Sequence, residues 1–154
     1  MKLILAMLLL FAAVAQAPAV DVPGSGNQAV FFSGNDVAGA TTAYLQPTIT
    51  TGGTNTTESP TVPTAWVSSV RGIARSMRCS VATTPTAGTT WTLTFRVAQT
   101  ATAGVCTLTD PALSCGPVLF TAPINVGDML SVQQAESGAG IDGATIFCIV
   151  MVQF

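Results

Sequence analysis

The chain contains no histidine, and its one lysine, Lys2, lies at the start of the sequence. Without histidine, Ser-His-Asp and Cys-His nucleophile pairs cannot be built. Beyond Lys2 there is no amine for a Schiff base or for a P-loop. The glycine-rich stretches Gly24-Ser-Gly26 and Gly138-Ala-Gly140 lack the strand-to-helix setting of a phosphate cradle. The usual zinc sets are missing too, because there is neither histidine nor a CxxC pair. Charged residues make up only 8% of the chain, against about 25% in an ordinary soluble domain. Acidic pairs such as Glu58 with Glu136 sit in turn-like contexts, where carboxylates are ordinarily solvated. These absences lead us to expect no catalytic residue, no cofactor and no metal site.

The charge that is present points the same way. Four arginines, Arg71, Arg75, Arg78 and Arg96, face Asp21, Asp36, Glu58, Asp110, Asp128, Glu136 and Asp142, and the formal net charge is −2. Nucleic-acid affinity rests on neutralising many phosphates, which makes nucleic acid a poor candidate partner.

What the chain has in quantity is apolar residues, 49% of the total, in short bursts separated by Thr, Gly and Pro. The first burst differs from the rest. Lys2 precedes an apolar stretch from Leu3 to Ala15, shorter than the roughly 20 residues that span a bilayer. Small residues close it, so residues 1–15 read as a signal peptide cleaved after Ala15, or as a retained N-terminal anchor. Only the second option would bring a membrane into play. Residues 16–27 read as a linker, and residues 28–154 as one β-sandwich domain.

Within that domain the period is two. Trp91, Leu93, Phe95 and Val97 alternate with Thr92, Thr94, Arg96 and Ala98, the pattern of a half-buried strand. Met77, Cys79 and Val81 alternate with Arg78, Ser80 and Ala82. A helical stripe through Trp66, Val70, Ile73 and Met77 competes there, but Gly72 and the β-branched residues favour a strand. Further strands are expected at Gln28–Phe32, Thr41–Leu45, Gly104–Thr109, Val118–Thr121, Met129–Gln134 and Ala144–Phe154. Thr48 to Pro63 reads as a long loop carrying the sequon Asn55-Thr56-Thr57. About eight short strands at this spacing indicate an all-β jelly-roll sandwich.

The four cysteines suit an oxidising compartment. Cys106 and Cys115 flank an Asp110-Pro111 turn, and a bridge between them across a hairpin is expected. Cys79 and Cys148 remain as the second pair. The last strand is apolar on both faces: Ile146, Cys148, Val150 and Val152 on one, Phe147, Ile149 and Met151 on the other. A strand of that kind is covered on both sides. Phe147, Ile149 and Met151 are therefore the expected self-association surface.

From Gly72 onward the order of signatures is distinctive. It runs Met77-x-Cys79-x-Val81, Pro85-x-x-Gly88, Trp91-Thr-Leu-Thr-Phe-Arg96, Cys106…Cys115, Val126-Gly127-Asp128-Met129-Leu130-Ser131-Val132 and a terminal Phe154. This resembles the small jelly-roll domains of bacterial surface proteins and phage structural proteins, which are similar to trimeric heads of the TNF/C1q type. The resemblance implies a non-enzymatic structural or adhesive domain, assembled as a homotrimer on a cell or virion exterior. Two alternatives remain open. One is a secreted carbohydrate-binding module, with Trp66 or Tyr44 stacking on a cell-surface glycan. The other is a filament subunit that exchanges its N-terminal strand with a neighbour.

A cleaved leader has a direct test. Mass spectrometry of the native protein should find Gln16 at its N-terminus; an intact Met1 would favour the anchor instead.

Overall fold

The computed structural model describes residues 26–35, 42–45, 66–138 and 144–154. The leader, most of the linker and the stretch from Thr48 to Pro63 lie outside them, as do Asp21, Asp36, Glu58 and Asp142. Among the described residues there are nine strands and no helix: β1 (Asn27–Asn35), β2 (Thr42–Leu45), β3 (Trp66–Val67), β4 (Gly72–Val81), β5 (Thr90–Val97), β6 (Thr100–Thr109), β7 (Ser114–Ile124), β8 (Met129–Glu136) and β9 (Thr145–Gln153).

The strands form two antiparallel sheets. One has the order β1-β9-β4-β7 and the other β2-β8-β5-β6, with the short β3 beside β2 along the same edge of β8. The pairings are nested: β1 with β9, β2 with β8, β4 with β7, β5 with β6. The chain is thus one long folded-back hairpin, rolled so that its successive segments fall in two sheets. That is a jelly roll, the fold expected from the sequence.

Alternation decides which side chains enter the core. Trp91, Leu93 and Phe95 of β5 are fully buried, as are Ile146, Val150 and Val152 of β9. Phe32 meets Phe95 edge-on at 6.1 Å between ring centroids, and Phe95 meets Phe120 at 5.9 Å. Phe32 and Phe120 belong to one sheet and Phe95 to the other, so this aromatic file fastens the layers. Gly72–Val81 is a strand, which excludes the helical stripe. A bulge at Arg75–Ser76 keeps both Ala74 and Met77 inside, because the extra residue restores the inward phase.

Several expectations need correction. The Cys106–Cys115 bridge forms, but not across a hairpin: β6 and β7 lie in different sheets. The Asp110-Pro111 turn is a corner at which the chain changes layer. Strand β1 continues through Gly34 to Asn35, and β7 extends over Ser114–Ile124, well beyond Val118–Thr121. Strand β6 begins at Thr100, not Gly104. The β5–β6 hairpin is closed by Ala98 and Gln99, both left-handed (φ 48° and 63°). Such a two-residue turn ordinarily advertises itself with Asn-Gly, and Ala-Gln carries no such signal. Strand β3 carries none either; two residues are too few to show a period.

Gly104 shows how the bulged ladder serves packing. Between Thr94 and Arg96 the β5–β6 register shifts, and the Thr102 hydroxyl fills the gap. It donates to the Phe95 carbonyl at 2.8 Å and accepts from the Gly104 N–H at 3.1 Å. Gly104 then lies under the Phe120 ring, where an added Cβ would come within 2.7 Å of Cε1 and Cζ.

Substitutions at two places test these contacts. Gly104→Ala should lower unfolding free energy by about 1–3 kcal/mol, the usual penalty for overpacking. Adding Phe120→Leu should recover part of that loss in a double-mutant cycle of denaturant midpoints. Replacing the turn by Ala98→Asn with Gln99→Gly should stabilise by about 1 kcal/mol, since non-glycine residues resist the left-handed region. An unchanged or lower melting temperature would contradict this.

Candidate interaction faces and the sulfur cluster

Three features of the described residues could carry function: the outer face of each sheet, and four cysteines that meet in space.

On the outer face of the β1-β9-β4-β7 sheet, the register aligns side chains in rows. One row runs Ala29, Met151, Ser76, Leu119, and the next runs Phe31, Ile149, Arg78. A third contains Phe147, Ser80 and Ser114, with Ser33, itself fully buried, at its β1 end. Phe31 retains 44% exposure, Phe147 40% and Ile149 37%, while Met151 is half-buried. The apolar members gather on β1 and β9, and serines with Arg78 border them on β4. Leu119, 81% exposed, extends the apolar character to β7. Phe31 is absent from the surface expected from the sequence, although its signal is present there. Two consecutive phenylalanines in a strand must face opposite ways, so when Phe32 enters the core Phe31 leaves it.

The three clustered arginines do not converge. Arg71 precedes β4, Arg75 donates from Nε and Nη2 to Gln153 Oε1 at 3.1 Å each, and Arg78 stands beside Ile149.

The outer face of the second sheet has another chemistry. Tyr44 of β2 lies opposite Gln133 of β8, which lies opposite Thr94 of β5. The Arg96 guanidinium stands 5.8 Å from the Tyr44 ring centroid. Its Nη1 donates to Gln133 Oε1 at 3.1 Å, and its Nη2 to the Gln99 carbonyl. The guanidinium is thereby held against the aromatic ring. Trp91 is in the core and offers no stacking surface. Trp66 of β3 pairs in backbone register with Leu130 of β8, whereas Tyr44 pairs with Gln133 of the same strand.

The cysteines form two bridges. Cys79–Cys148 joins β4 to β9 within one sheet across 69 residues of sequence, and Cys106–Cys115 joins the two sheets across nine. On the chain-entropy account they contribute about 4.4 and 2.7 kcal/mol respectively. Cys79 faces Cys148 on one side and Cys115 on the other. The sulfurs of Cys79, Cys106 and Cys115 all lie within 4.8 Å of one another. With both bridges formed, none is a thiolate, the form that a metal ion requires.

An open depression of about 310 Å³ lies where the β5–β6 and β7–β8 turns meet, lined by Thr100, Thr102, Asn125 and Asp128 among others. The Asp128 carboxylate is occupied there, accepting from the Asn125 backbone N–H at 2.7 Å and side-chain Nδ2 at 3.3 Å. It acts as a turn cap.

No protein-family model matches this chain, and no curated protein shows significant similarity to it.

Proposed function

We propose that this domain is a non-enzymatic structural or adhesive module that assembles with copies of itself on a cell or virion exterior. The reading rests on one observation, the apolar band of Phe31, Phe147, Ile149 and Met151 on the outer face of β1 and β9. Burying what remains exposed of Phe31, Phe147 and Ile149 would be worth on the order of 1–2 kcal/mol each. Contiguous apolar surface of this kind marks an interaction site, and an apolar centre with a polar rim is the anatomy of a protein interface. A second copy is the favoured occupant because soluble assemblies are mostly closed, symmetric homo-oligomers. The jelly-roll resemblance favours a trimer. Two disulfides suit the oxidising exterior in which such a head would stand.

A glycan-binding module is the second reading. Its support is the group of Tyr44, Arg96 and Gln133 on the opposite sheet. An aromatic ring flanked by amide and guanidinium donors is a setting in which a sugar ring can stack and be hydrogen-bonded.

Sedimentation velocity at micromolar concentration separates the two. The wild-type protein should sediment as a closed oligomer. Ile149→Asp should sediment as a monomer, with its far-ultraviolet circular dichroism and both bridges intact. A wild-type monomer would overturn the oligomeric head. In that case glycan-array binding abolished by Tyr44→Ala would establish the second reading.

A further inference from the structure

The two disulfides are close enough to exchange. We propose that they form a relay in which reduction of the inter-sheet bridge is passed to the buried intra-sheet bridge through Cys115 and Cys79.

Of the four cysteines, one is more open to solvent than the rest. Cys79, Cys106 and Cys148 are each at 1% exposure, whereas Cys115 is only partly buried. Thiol–disulfide exchange requires a thiolate to reach a sulfur, so an external dithiol approaches most readily at Cys115 Sγ. Its first thiolate attacks there, the Cys106–Cys115 bond breaks, and Cys106 leaves as a thiolate. Its second thiolate then displaces Cys115 and departs as a cyclic disulfide, having supplied two electrons.

Geometry selects the next bond. The sulfurs of Cys106 and Cys115 both lie within 4.8 Å of that of Cys79, but Cys115 alone stands directly opposite Cys79 in a neighbouring strand of the same sheet. The Cys115 thiolate attacks Cys79 Sγ, a Cys79–Cys115 bond forms, and the Cys79–Cys148 bond breaks. Cys148 departs as a thiolate and takes a proton. No further electrons are needed, because this last step is an isomerisation of the half-reduced protein. Its product bridges β4 to β7 and leaves Cys106 and Cys148 as thiols, so no disulfide joins the two sheets. A second dithiol attacking Cys115 of the new bridge would complete reduction. At no stage does a reagent have to enter the core.

Limiting dithiol applied to the folded protein, with acid quench, alkylation and peptide mapping, tests the relay. The expected product carries a Cys79–Cys115 cross-link with Cys106 and Cys148 alkylated. Finding Cys106 and Cys115 alkylated with Cys79–Cys148 intact would overturn the proposal. A Cys79–Cys106 cross-link would also overturn it, by assigning the attack to the wrong thiol. The double variant Cys106→Ser/Cys115→Ser supplies a rate. In the folded variant Cys79–Cys148 should be reduced roughly tenfold or more slowly than in the wild type, since its sulfurs are out of direct reach. Loosening of the fold by loss of a bridge would instead speed reduction, so an equal or faster rate counts against the relay. If the variant fails to fold, the wild-type mapping decides alone.

Discussion

Between the sheets, Trp91, Leu93 and Phe95 of β5 share one buried cluster with Ile146, Cys148, Val150 and Val152 of β9 and with Phe32, Met77 and Phe120. These residues come from both layers, and no single hairpin of the chain could bury them. A sheet has an apolar face only if something covers it, so each layer is stable because the other is present. The nested pairing brings this about: the first strand meets the last and the second meets the next to last. The core therefore closes only when distant parts of the chain have come together, and local hairpins contribute little beyond β5–β6.

One of the two bridges reinforces that closure where the topology leaves it least supported. Cys79–Cys148 lies within the β4–β9 pair, where a backbone ladder already holds the strands. Cys106–Cys115 sits at a corner with no ladder between its strands, and there a covalent bond does what hydrogen bonds do elsewhere. The row Cys148, Cys79, Cys115 crosses three neighbouring strands. Two bridges placed for stability are thereby brought within exchange distance.

Filling the inner layer has a consequence for the outer one. Strand β9 lies inside its sheet, with β1 on one side and β4 on the other, and period-two geometry sends every second residue outward. With Ile146, Cys148, Val150 and Val152 turned inward, Phe147, Ile149 and Met151 must face out. Phe32 imposes the same on Phe31 in the adjacent strand. The band is a necessary result of that geometry once these residues occupy these positions. The proposed interface rests on the apolar residues at these outward positions, where the corresponding outward positions Thr92 and Thr94 of the other sheet carry threonine.

Much of this is legible in the order of residues alone. The alternation around Trp91 and in the final strand carries the strands, the inner face and the outward set, because period two assigns faces without knowledge of partners. Absence of histidine and of lysine beyond Lys2 excludes whole classes of chemistry in the same direct way. Residue order does not supply any property that depends on which strand lies beside which. The Ala98–Gln99 turn is left-handed because the flanking strands impose it. The Asp110-Pro111 turn looks like a hairpin locally and becomes a corner only once β7 is committed to the opposite sheet. The Tyr44–Arg96–Gln133 group joins three strands, and the meeting of Cys79 with Cys115 joins two whose pairing no local pattern announces. Faces are a property of single strands and can be read from residue order; neighbours are a property of the closed sandwich, and tertiary structure alone decided them.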